Sequence, residues 1–181
     1  MLSFVVFLIL ILLLLPLVVM PLITPGQRFM ERQFQINKDE LIIVRDFIAS
    51  SEFESISIQR PPADPRVRIF RRPVFDGPFE MSAGLGYGRI PIENKEVLEA
   101  LHSLFHRGFP MVSGGGGDGN IVFLRWRFFS EGRGIVYSLD GSTPEESRGL
   151  TYLVEIEPMS EEGWYFYVDN FNVWRARNRE R

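Results

Sequence analysis

His102 and His106 are the only histidines of the chain, and they stand four residues apart. On a helix that spacing sets two imidazoles on one face, as a zinc or iron site requires. Glu99, three residues before His102, adds a carboxylate to the same neighbourhood. The pattern departs from the metalloprotease helix, in which glutamate follows the first histidine; Ser103 stands there instead. There is no third imidazole to complete a catalytic site. On a helical wheel both histidines lie away from the apolar stripe of Val97, Leu101 and Phe105. A solvated helix face fits better than a metal site, and no metal or other cofactor is expected.

Ser113, Gly114 to Gly117, Asp118, Gly119 and Asn120 form the most unusual stretch. A phosphate-binding loop needs a Gly-Lys-Ser/Thr ending and a following helix, and here a strand pattern follows with no lysine. A nucleophilic Ser113 would need glycine two residues before it, where Met111 stands. Asp118-Gly119-Asn120 is too short for a calcium loop. Gly84-Leu85-Gly86-Tyr87-Gly88 lacks the strand and helix that a dinucleotide loop requires.

Two binding surfaces remain. Arg60, Arg66, Arg68, Arg71 and Arg72 cluster around Phe70 and Phe75, a set suited to phosphate-bearing lipids or polymers. Pairing with acidic surface residues is the competing account. Tyr165 and Tyr167 share one parity of an aromatic strand, and they would line the open face of a sheet, where a peptide or glycan could stack.

The elements that must position these residues follow from periodicity. Asn37 and Glu40 read as a helix cap and its return partner, with Leu41, Val44, Phe47 and Ile48 on one face. Phe53–Ile58 and Val67–Phe70 alternate as strands, and Asp76–Gly88 is left unassigned. A second helix opens at Ile92–Glu96 and carries Val97, Leu98, Leu101, Leu104 and Phe105. Ile121–Phe129, Ile135–Leu139, Leu150–Ile156 and Trp164–Val168 then predict a four-stranded antiparallel meander, with a turn at Ser130–Gly134. The fold class is α+β, with two amphipathic helices packed on a mainly antiparallel sheet.

Arg133–Ser138 together with Gly163–Tyr167 resembles uncharacterised membrane-anchored proteins of Gram-positive bacteria, over roughly the last 70 residues. The resemblance implies an envelope domain and brings no activity or catalytic residue with it.

The first 27 residues carry no charged side chain, and Phe4–Ile23 is apolar throughout except for Pro16 and Pro21. Twenty residues at 1.5 Å rise span about 30 Å, the thickness of the hydrocarbon core. No small-x-small cleavage site follows, so an uncleaved single-pass signal-anchor is expected. The chain thus divides into an anchor and exit (1–27), a juxtamembrane linker (28–36), the α+β domain (37–174) and a frayed basic tail (175–181). Arg28, Arg32 and Lys38 after the span favour a cytoplasmic domain by the positive-inside rule. The usual behaviour of bacterial N-terminal anchors favours the outer face, and the balance tips outward.

With 181 residues, a net charge of −3 and no cysteine, disulfides and thiol catalysis are excluded, and no bulk affinity for nucleic acid is expected. The expectation is a membrane-tethered, non-catalytic interaction or sensing domain, with an envelope protein, peptide or anionic polymer as partner. Two alternatives stand beside it. One is a membrane-associated hydrolase or metal-dependent enzyme using the histidines; the other is a binder of anionic polymers or lipid headgroups through the arginines.

Overall fold

The structure, a computed structural model, describes residues 24–51, 53, 55–59, 80–83, 89–115, 119–145 and 150–179. Helix α1 (Gln27–Ala49) begins well before Asn37, where the sequence placed its cap. Met30 and Phe34 extend the stripe Leu41, Val44 and Ile48 toward the N-terminus at the same three- and four-residue spacing, and all five are fully buried. Residues 28–36 are therefore the packed first half of a helix rather than a linker. Asn37 marks a kink, with φ −116° and ψ 15°. Its side-chain amide donates to the Gln33 carbonyl. Arg107 donates to the Ile36 carbonyl (3.0 Å) and to Asn37 Oδ1 (2.9 Å), so the polar groups at the break stay satisfied inside the core.

Among the described residues eight antiparallel strands follow: β1 (Ile56–Gln59), β2 (Glu80–Ala83), β3 (Arg89–Pro91), β4 (Met111–Gly114), β5 (Asn120–Phe128), β6 (Glu131–Ser138), β7 (Leu153–Pro158) and β8 (Trp164–Asn170). Their order is β3-β2-β1-β4-β5-β6-β8-β7. Helix α2 (Lys95–His106) starts as the sequence predicts, with Asn94 Oδ1 accepting from the amides of Glu96 and Val97. It packs beside α1 on one face of the sheet. The helix-facing core joins Phe34, Leu41, Val44, Leu101, Leu104 and Phe105 to Ile56, Ile58, Phe123, Ile135, Trp164 and Phe166.

The C-terminal strands are not a simple meander. β6 pairs with β8, and β7 lies outside β8 at the sheet edge. The connection from Leu139 to Tyr152 is long enough to carry the chain past the vacant position beside β6. The tight turn after Pro158 then returns β8 into it. The turn between β5 and β6 is also shorter than expected, because residues 131–134 are already strand. Gly134 fits there because a Cβ would lie 2.1 Å from the Phe123 carbonyl oxygen and 2.8 Å from the Tyr167 ring. An extra residue, Arg125, interrupts the β5–β6 register between Leu124 and Trp126.

The tail is helical as far as Arg179. Asn170 Oδ1 accepts from the amides of Asn172 and Val173 and so caps α3 (Phe171–Arg179). Tyr152 packs edge-on against Phe171 and Trp174, at 4.9 and 5.3 Å between centroids. Among the described residues no helix is long and apolar enough to cross a membrane; the apolar run 4–23 and the strand expected at Val67–Phe70 lie outside them.

Candidate functional site

His102 and His106 project from the exposed side of α2, opposite its buried stripe. Glu99 is turned to Lys95, 3.7 Å away, and both side chains are well exposed. Ser103, which stands where a metalloprotease would carry glutamate, donates to Glu40 at 2.8 Å and ties α2 to α1. Among the described residues no group of three histidine, cysteine, aspartate or glutamate side chains is placed to hold a metal ion.

Ser113 sits in β4, aligned between Ser57 of β1 and Val122 of β5. Gly114 follows where the chain closes on β5, and a Cβ there would lie 2.6 Å from the Asn120 carbonyl oxygen. That close approach is a packing reason for the first glycine of the run. Gly116 to Asp118, the Gly84–Gly88 loop, and the whole arginine cluster (Arg60, Arg66, Arg68, Arg71, Arg72) lie outside the described residues.

Tyr165 and Tyr167 do share the helix-free face of the sheet. That face is not an open aromatic stripe, however. Tyr167 is buried with Val122, Leu124, Val136 and Leu150, the last lying just before β7. Tyr165 is half-buried at the margin, with Met111, Leu153 and Ile156. Burial pushes the Tyr167 hydroxyl far above its ordinary pKa, and the nearby Asp169 carboxylate adds to the rise. Asp169 is itself pushed up by burial, against the opposing pull of Arg127 and a hydrogen bond from the Tyr152 backbone. The long connection is pinned at its start by Asp140. Its carboxylate accepts from the Ser142 hydroxyl and amide and from the Ser138 hydroxyl, which holds it at a pKa of about 2.

Three features escaped the sequence reading. The first is the seam between α1 and the β7–β8 turn. Glu31 accepts from the Ser160 amide (3.2 Å) and hydroxyl, and Gln35 donates to both. Burial raises the Glu31 carboxyl, but these hydrogen bonds outweigh it and leave the pKa lowered. Lys38 pairs with Glu161, and Gln27 donates to the Pro158 carbonyl at 3.1 Å. A shallow, open cavity of about 360 Å³ lies along the seam, lined by Gln27, Arg28, Glu31, Pro158 and Ser160.

The second is Arg125, whose half-buried guanidinium lies between the Phe29 and Phe109 rings, at 5.6 and 5.5 Å. It donates to the Gly108 carbonyl at 3.0 Å, and burial lowers its pKa. The third is an aromatic cluster at the tip of the β5–β6 hairpin. Phe128 is 41% exposed and Phe129 is 89% exposed. Their rings meet edge-on at 4.4 Å. The signal for the tip was the Phe-Phe-Ser sequence itself, but aromatic residues read as strand and so masked the turn.

No protein-family model, curated protein or solved structure matches this chain.

Proposed function

We propose that the chain is a membrane-tethered, non-catalytic interaction or sensing domain, held at the bilayer by residues 4–23. The observation that carries this reading is the shortness of the join. The apolar run ends at Ile23, and α1 begins at Gln27. Three residues reach about 10 Å at most, so a span over 4–23 holds the domain against the membrane surface rather than on a flexible leash. The Pro25 carbonyl accepts from Arg133 at 3.3 Å, which fixes the exit segment to the sheet.

On this reading the domain recognises a partner rather than transforming a substrate. The margin of the helix-free face, where Tyr165 meets Met111, Leu153 and Ile156, offers half-buried apolar surface to an envelope protein or peptide. The domain faces outward. Arg28, Arg32 and Lys38 after the run pull the other way, and the usual outward presentation of domains by N-terminal anchors is set above them.

The cysteine-free chain makes sidedness directly measurable. Thr143 is exposed in the β6–β7 connection. Thr143→Cys in intact cells should react with a membrane-impermeant maleimide without lysis. Labelling that requires lysis would place the domain in the cytoplasm and remove envelope partners from consideration.

A further inference from the structure

We infer that the aromatic tip of the β5–β6 hairpin and the adjoining start of α3 rest in the headgroup layer of the bilayer, forming a second membrane contact beside the tether. The inference builds on the proposed tether at residues 4–23. Its geometric basis is the position of the exit segment. Arg133 binds the Pro25 carbonyl, and Arg133 lies near the tip end of β6. From that point the strands run on to their turn, which at ~3.3 Å per residue lies about 10 Å further along the sheet. Trp126 and Phe128 stack in this stretch, 6.2 Å between centroids, on the parity that faces α1 and α2 elsewhere in the sheet. The sheet thus carries its apolar face beyond the helices that cover it.

Exposed apolar side chains gather at this end. Phe29 opens α1 at 41% exposure, and Phe171 and Val173 open α3 at 36% and 40%. The Phe171 amide donates to the Ser130 carbonyl in the turn at 3.1 Å, and Asn172 donates to the Ser130 hydroxyl at 2.8 Å. The start of α3 and the hairpin tip are therefore one surface.

Two further observations favour lipid as the occupant. The first is charge. Arg127 beside the tip and Arg175, Arg177 and Arg179 on α3 are exposed, and α3 contains no acidic residue. Glu131 at the tip is paired with Arg133 and Arg177 donates to the Val154 carbonyl, and the arginines beside these aromatic side chains suit the interface between acyl chains and anionic headgroups. The second is backbone conformation. Phe129 holds φ +49° in the turn, a region where glycine or asparagine is at ease and phenylalanine is not. A ring held 89% exposed at a strained position contributes nothing to the core, so its use lies outside the domain.

The test uses the full chain in vesicles of phosphatidylcholine and phosphatidylglycerol. Phe129→Cys carries an environment-sensitive NBD label in place of the ring, and Thr143→Cys, at the other end of the hairpin, carries the same label as a control. Nitroxide-bearing lipids should quench the label at 129 several-fold more than the label at 143. Equal or absent quenching at 129 would overturn the inference. A blue-shifted label at 129 that lipid nitroxides leave untouched would overturn it too, since the tip would then be buried against a second copy. An alkaline wash after the optical measurement separates the two claims. Release of a chain whose label had been quenched would sink the tether and leave the interfacial contact standing.

Discussion

Asp169 is a carboxylate that the fold keeps partly out of water. Its Oδ1 is buried without a hydrogen-bond partner, and burial raises its pKa above the ordinary 3.8 despite Arg127. The folded state therefore binds a proton more tightly than the unfolded state does. The stability this proton confers is fully present below the ordinary value and is lost as pH rises through the raised, folded one. At neutral pH the ionised group is a liability. Asp169→Asn should raise the thermal midpoint at pH 7, and its margin over the parent should shrink toward zero below pH 3.8. A lower midpoint for the variant at pH 7 would show that attraction to Arg127 outweighs burial. Nothing in the sequence announced this group. Asp169 stands at the end of an aromatic strand, and its half-burial beside Tyr167, Arg127 and the Tyr152 backbone comes from tertiary packing that strand alternation does not report. Tyr167 was misread for the same reason. Alternation places it correctly on the helix-free face with Tyr165, but alternation carries no information about Leu150, which packs on it from outside the strands. The histidines, by contrast, were legible. The stripe on α2 fixed which side met the core, and His102 and His106 fell on the other.

At the scale of elements, the first helix departs furthest from expectation. Asn37 and Glu40 carry the residue types of a cap, and the kink at Asn37 shows that the local preference for a break is real. Packing overrides it, because Met30 and Phe34 continue the buried stripe on the far side of the kink. Phe34 packs 5.0 Å from the Trp164 ring and is wholly buried. Phe34→Ala should destabilise the domain by about 3–5 kcal/mol in chemical denaturation of the detergent-solubilised chain. Ile36→Ala, at a position 52% exposed, should stay within about 0.5 kcal/mol of the parent. Equal, small effects at the two positions would mean that the first half of α1 does not belong to the folded core. The strands themselves were readable from alternation and turn residues, whereas their order was not. A short turn forces neighbours, as between β5 and β6, but the long connection after β6 allows β7 to pass to the edge.

For the molecule as a whole, the α+β class and the placement of both main helices on one face follow from patterns that survive in the structure. The proposed tether rests on the apolar sequence of residues 4–23 and on the three-residue join between that run and α1. A domain tethered to a bilayer by so short a join would present its hairpin tip and α3 to lipid. Its far end, with the Asp140–Ser142 clamp and Thr143, would face away. The tether is put to the test by extracting membranes from cells expressing the full chain with alkaline carbonate. The chain should stay in the pellet with integral membrane proteins. Recovery of the folded chain in the supernatant would contradict it.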